Sequence, residues 1–273
     1  MAVSCIRNSD LTGDFLNKIL TRPDAHISFG FCGRIRTTVH EQAAPDFMQG
    51  VRALFVTDVH LRASAPDAWL ERLMRVIASA QPDLLLLGGD YGESVRQQER
   101  FFHAIAALPE FPLGAFGVVG NNDRERFPEP GKLRAMMAKS GVRMLLNEAA
   151  VVNVGSGILA IGGVDELKYG HPRTKGLFDR CPGSAYRLLV SHHPLWPEAH
   201  ADLILAGHTH GGQLNAFGFT PYSVGYESNA HPCIKGVCKK DDMVMLVSRG
   251  IGYSSIPFRV GAFPEVNLCI FAK

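Results

Sequence analysis

The sequence predicts an α/β domain, on three observations. From Val51 onward, short apolar runs alternate with amphipathic segments, the pattern of strands joined by helices. Past residue 140 the chain turns to strand-length, β-branched runs. No internal repeat, low-complexity tract or long linker separates the two halves. Residues 48–273 are therefore expected to form one domain, with residues 1–47 as an N-terminal extension packed on it. At 273 residues and 46% hydrophobic side chains the chain can bury a sizeable core.

Within residues 1–47 periodicity is weak, except that Leu11, Phe15, Leu16, Ile19 and Leu20 would share one helical face. Residues 51–57 read as a buried strand. Ser64, Pro66 and Asp67 then supply start signals for a helix carrying Leu70, Leu73, Met74, Ile77 and Ala78. Residues 84–87 form a second buried strand. Ser94 with Gln97 resembles a capping box that opens a helix whose inner face holds Phe102, Ile105 and Ala106. A third strand at 115–119 precedes a helix near 132–139. Further strands are expected at 142–146, 149–154, 158–161, 188–190, 203–205, 243–247 and 266–271. Residues 168–183, with Lys168, Arg173, Lys175 and Arg180 among glycines and prolines, read as a surface insertion.

A formal net charge of +2 gives no global electrostatic case for nucleic acid or an anionic membrane as the main partner, so any basic recognition must be local. The cysteines at 5, 32, 181, 233, 238 and 269 lack disulfide-framework spacing, and nothing near Met1 reads as a secretory leader. A cytoplasmic protein with buried or free thiols is expected. Cys233 and Cys238 could begin a zinc knuckle, but no second pair completes it. No run approaches the roughly 18 apolar residues of a membrane span, which leaves peripheral membrane contact open.

The chemistry sits where strands end. Asp58-Val59-His60, Gly88-Gly89-Asp90 and Gly120-Asn121-Asn122-Asp123 each follow an apolar run, and parallel strands present their carboxyl ends along one edge. Ser191-His192-His193-Pro194 and Gly207-His208-Thr209-His210-Gly211-Gly212 follow strands of the second half. Carboxylates, imidazoles and an amide form the donor set that borderline divalent metals such as Mn, Fe and Zn take. Each cluster alone is weak evidence, because a histidine in a loop is usually a surface or core residue. Five in one order point to a metal site.

These blocks resemble the calcineurin-like metallophosphoesterases, whose ordered motifs are D-x-H, G-D, G-N-H-D/E, H and G-H-x-H. The resemblance runs from about Val51 to Phe271 and is closest to a bacterial branch marked by Gly88 to Tyr91, His192 to Pro194, Gly207 to Gln213 and Ser248 to Glu265. It implies a four-layer αββα sandwich of two mixed β-sheets. It also implies two divalent ions, one held by Asp58, His60 and His210, the other by Asn121, His192 and His208, with Asp90 bridging. His193 is expected to support the site rather than ligate.

Two cations about 3.5 to 4 Å apart would lower the pKa of a shared water, so that hydroxide can attack phosphorus in line with the leaving oxygen. The chain departs from the family pattern at Asn122, where the motif has a histidine that, with the acidic residue after it (here Asp123), helps protonate the leaving group. Asparagine cannot supply that proton, which points to phosphodiesters or pyrophosphate links. Arg124, Arg126 and Arg249 are candidates to grip phosphate. The expected substrate is a phosphorylated small molecule or a lipid-linked one. A specific version is a UDP-2,3-diacylglucosamine-type pyrophosphatase of lipid A synthesis; nuclease action is disfavoured by the charge. The rival from another class is a catalytically silent scaffold of the same fold, against which stand competent side chains at all seven ligand positions.

Overall fold

The computed structural model describes residues 27–215 and 233–273; the helix expected around Leu11 to Leu20 lies outside them. The first half of the described chain contains β1 (Ile27–Phe29), β2 (Arg36–Ala43), β3 (Arg52–Val56), α1 (Asp67–Ser79), β4 (Leu84–Leu87), α2 (Val95–Ala106), β5 (Ala115–Gly117), α3 (Asn121–Arg126), α4 (Gly131–Lys139) and β6 (Val142–Met144). The second half is nearly all strand: β7 (Glu148–Val154), β8 (Gly157–Gly163), β9 (Tyr186–Ser191), β10 (Leu203–Ala206), β11 (Gly236–Lys240), β12 (Met243–Val247), β13 (Phe258–Val260) and β14 (Glu265–Ala272).

Two six-stranded sheets result, ordered β2-β14-β3-β4-β5-β6 and β11-β12-β10-β9-β8-β7. In the first, β3 to β6 run parallel, β14 pairs antiparallel with β3, and β2 pairs parallel with β14. In the second, β8, β9, β10 and β12 are parallel and the outer strands β7 and β11 antiparallel. Both sheets are mixed, and their apolar faces meet: Phe55, Leu86 and Phe271 pack in one buried cluster with Leu159, Leu188 and Leu205. The other face of the first sheet is covered by Leu73 and Ile77 of α1, Phe102 and Ile105 of α2, and Leu133 and Met137 of α4. Strands sandwiched in this way need apolar residues on both faces, which is why β4 reads as four consecutive leucines, all buried.

The free face of the second sheet, with Leu189, Ile204 and Met245, is covered by Phe178, Ala201 and Cys233. Phe178 belongs to the segment read as a surface insertion. It is a run of turns, and among the described residues it helps cover this face.

Strand β2 escaped the sequence reading because it is an edge strand whose residues are all exposed or half-buried, so it needs no apolar pattern. Start signals hold for α1, which begins at Asp67, and for α2, where Ser94 accepts a hydrogen bond from the Gln97 N–H at 3.3 Å. Cys233 and Cys238, expected as thiols, are instead joined in a disulfide. A bend at Ile234 and Lys235 precedes β11, and the two Cα atoms lie 6.4 Å apart, within disulfide reach.

Candidate metal centre

The ladder between β3 and β4 continues past both strands. Asp58 N–H donates to Gly89 O at 3.0 Å and His60 N–H to Asp90 O at 2.9 Å, locking the first two polar clusters side by side. Across the sandwich, His208 N–H donates to Asp58 Oδ2 at 3.0 Å, which ties the loop after β10 in the second sheet to the loop after β3 in the first. All five clusters therefore meet at one end of the sandwich.

The backbone there is strained in a consistent way. Asp58, His60, Asp90, His208 and His210 all have φ between 42° and 69°, the left-handed region that costs a residue with a Cβ about 1–3 kcal/mol. Such bends turn successive polar side chains toward one point. Two glycines make room: a Cβ on Gly120 would run into Asp90 Oδ1, and one on Gly207 into Asp58 Oδ2.

The side chains converge as follows. His210 Nε2 lies 3.1 Å from His60 Nε2 and 3.7 Å from Asp58 Oδ1. Asp90 Oδ2 is 3.3 Å from His60 Nε2 and 3.6 Å from His192 Nε2. His192 Nε2 is 3.1 Å from Asn121 Oδ1, and the His208 ring centre is 5.1 Å from that of His192. Among the described residues, three groups bring their donor atoms within 4.8 Å of one another: Asp58, His60 and His210; Asp58, Asp90 and His192; and His192, His193 and His208. Asp58 and His192 are fully buried, and His60, Asp90 and His210 nearly so. Packing carboxylates and imidazoles this densely away from water is costly unless a cation compensates them. The donors are those of a borderline divalent ion, so the residues fit such ions.

A second layer orients the donors. His60 Nδ1 lies 2.6 Å from Glu93 Oε1 and His192 Nδ1 lies 2.8 Å from Gly88 O. Both partners only accept, so each ring carries its proton on Nδ1 and turns the Nε2 lone pair inward, the arrangement common in metal sites. Arg259, 2% exposed, donates from Nη2 to His210 Nδ1 at 2.9 Å. Burial lowers the His60 pKa, but the Glu93 hydrogen bond and the Asp90 and Asp58 charges outweigh it, and the net shift is upward. His210 goes the other way, pushed well down by burial and then by His60 and Arg259. For Asp90, burial raises the carboxyl, yet His192, His60 and two hydrogen bonds from Asn122 hold it below the usual value. The sequence assigns no role to Glu93, nor to Arg259 within its Pro257-Phe258-Arg259 motif. The available signals were an acid three residues after Asp90 and an arginine within the Ser248 to Glu265 block.

The other candidate residues are held by contacts within the protein. Asp123 is fully buried and accepts hydrogen bonds from the N–H groups of Asp90, Tyr91 and Gly120 and from Gln98 Nε2. Burial and Asp90 push its pKa up to about 7 against the pull of those donors. Asn122 grips Asp90, from its backbone N–H to Oδ1 at 2.9 Å and from Nδ2 to Oδ2 at 2.7 Å. Arg126 donates to Glu93 and to Asn122 O, and Arg249 clamps both oxygens of Glu265. Arg124 donates to Pro128 O, with Nε 3.6 Å from Asp165 Oδ1. These guanidiniums brace the loops that carry the donors. His193 accepts the Leu167 N–H on Nδ1 at 3.3 Å.

A fold and donor set of this kind define a metal-dependent hydrolase. The model of the calcineurin-like phosphoesterase family matches residues 51–212, and the chain belongs to that family; it is a phosphoesterase. Bacillus subtilis (strain 168) YpbG is 31% identical over 222 residues, 78% of this chain and 78% of that protein. The phosphodiesterase YaeI of Escherichia coli (strain K12) is 27% identical over 224 residues, 80% of each. A shorter match, 38% identical over 78 residues, is to the UDP-2,3-diacylglucosamine pyrophosphatase LpxG of Chlamydia trachomatis serovar D, covering 28% of this chain and 23% of that one.

Proposed function

We propose that the chain hydrolyses phosphodiester or pyrophosphate bonds with two divalent ions. Asp58, His60 and His210 would hold one, Asn121, His192 and His208 the other, and Asp90 would be shared. Bound there, such ions supply Lewis acidity toward phosphoryl oxygens and a water acidic enough to ionise near neutral pH; manganese is the ion we favour. The chain's own residues do the positioning. Glu93 holds His60, the Gly88 carbonyl holds His192, and Asn122 fixes both oxygens of Asp90. His193, whose Nδ1 accepts the Leu167 N–H, is assigned a supporting place beside His192 and His208.

The observation that carries the substrate class is Asn122. Its amide, 2.7 Å from Asp90, stands where the family motif has a histidine able to donate a proton. An amide does not titrate, so a departing alkoxide receives no proton from this position. Diesters and pyrophosphates, whose leaving groups need less help, are favoured. The test is a panel of alkyl monoesters, diesters and nucleotide pyrophosphates assayed on manganese-loaded protein of measured metal content. Diesters or pyrophosphates should turn over fastest. Faster hydrolysis of alkyl monoesters would overturn the reading, and two bound metals without any turnover would favour the scaffold.

The LpxG match favours a second, narrower reading, in which the substrate is a UDP-linked acylated sugar. Release of UMP from such a substrate in preference to simple diesters would establish it. No described helix is long and apolar enough to cross a membrane. The Cys233–Cys238 disulfide speaks against the cytoplasmic placement expected from the sequence, because thiols there are kept reduced.

A further inference from the structure

A groove of about 850 Å³ runs between α1 and the edge strand β2, over the face of the first sheet that the helices cover. It shares no residue with the metal centre. Arg34, Arg52, Arg72 and Arg75 line it with the aliphatic side chains of Ile35, Val76 and Leu268, while the guanidinium of Arg36 lies 4.1 Å over the Phe263 ring, on the face of β2 opposite Thr37. Among the described residues no carboxylate and no aromatic ring lines it. In a chain of net charge +2, four guanidiniums around one cavity are a strong local concentration.

The charge is largely uncompensated. Arg75 approaches Glu71 at 3.7 Å, with both side chains about two-thirds exposed, where an ion pair is worth little. Arg52 and Arg72 are steadied by carbonyls, Ala80 O and Gln81 O for the first and Phe31 O for the second. Carbonyl contacts leave the positive charge in place. Buried Arg72 Nε has no hydrogen-bond partner.

Apolar surface lies beside the charge. Val39, two residues beyond Thr37 on β2 and so on the same face of that strand, is 54% exposed. Phe29, the last residue of β1, is about half exposed, two residues before Phe31, whose carbonyl accepts from Arg72.

We propose that this face docks on an anionic phospholipid surface, the guanidiniums taking lipid phosphates and the aliphatic floor and neighbouring apolar side chains meeting the acyl region. Guanidinium suits phosphate through paired N–H donors, and clustered basic residues beside exposed apolar ones are the pattern of membrane-surface binding. Single-stranded nucleic acid is the weaker occupant, because no ring in the groove can stack a base.

The test is sedimentation of the full chain with phosphatidylcholine vesicles, with and without phosphatidylglycerol. Binding should require phosphatidylglycerol, weaken at high salt, and fall about tenfold or more in Arg34→Glu/Arg75→Glu. That variant should still melt and turn over a soluble diester like the parent, since both side chains are exposed and away from the metal centre. If it fails to fold, Arg34→Gln carries a smaller loss of the same sign. Equal binding to neutral vesicles, or unchanged binding by the folded variants, would overturn the proposal. So would inorganic pyrophosphate or oligothymidylate binding that depends on Arg34 and Arg75 while vesicles are ignored.

Discussion

Glu93 Oε1 sits 2.6 Å from His60 Nδ1, and the same carboxylate is held by Arg126 at 3.2 Å and Arg62 at 3.5 Å. The acid therefore fixes the His60 ring and keeps its inward nitrogen basic. Removing such an outer partner costs a metal site about 10–100-fold in affinity. Glu93→Gln should weaken manganese binding by that order in calorimetric titration, with the fold intact by circular dichroism. An unchanged dissociation constant would show that the bond does not serve the metal.

Asn122 donates to both oxygens of Asp90 without offering a transferable proton. Asn122→His restores a titratable ring at this position, and a positioned general acid contributes about 100–10,000-fold. The ratio of alkyl monoester to diester turnover should rise by about tenfold or more in that variant, even if both rates fall because Asp90 loses a side-chain donor. A ratio that stays put would separate Asn122 from the choice of leaving group.

Asp123 collects N–H donors from three backbone positions and from Gln98. Truncating it strands those buried donors, at about 1–3 kcal/mol each for groups that find no other partner. Asp123→Ala should lose roughly 3–5 kcal/mol of unfolding free energy in urea even when stripped of metal. A variant that melts like the parent would mean that the loop does not depend on this carboxylate.

The sequence was most legible where local chemistry repeats along the chain. The leucines of β4 and the start signals of α1 and α2 announce themselves, and the polar clusters beyond the strands mark where the site forms. Edge strand β2 was invisible because its side chains are half-wet and follow no apolar rule. A loop arginine such as Arg126 or Arg249 reads the same in sequence whether it meets substrate or a carboxylate such as Glu93 or Glu265. Only the long-range pairing of loops distinguishes these cases, and Arg259, 49 residues from the ring it contacts, shows how far that information lies from any local window.

Five donor-bearing residues hold left-handed backbone around a dense set of carboxylates and imidazoles, strain that a bound cation would help offset. Chelation should therefore lower the melting temperature, and manganese at a hundred times its dissociation constant should return about 2.7 kcal/mol. Calcium, which prefers all-oxygen ligands, should return much less. Coincident melts of stripped and manganese-loaded protein would mean that no divalent ion binds the native state.

Thr209 lies between His208 and His210, and its Oγ1 donates to Ile234 O at 2.6 Å. Ile234 is inside the short loop closed by the Cys233–Cys238 disulfide, so the bond that holds the histidine turn in place hangs from a redox-sensitive clip. A loop this short is constrained by about 2 kcal/mol in the chain-entropy model, enough to order the carbonyl that Thr209 uses. Reduction with a thiol should therefore weaken manganese binding several-fold, and Cys233→Ser/Cys238→Ser should show the weakened affinity with or without reductant. Mass spectrometry after alkylation fixes the oxidation state in each titration. Equal affinities for oxidised and reduced protein would disconnect the clip from the site, and two alkylatable thiols in protein never exposed to reductant would show that the clip does not form.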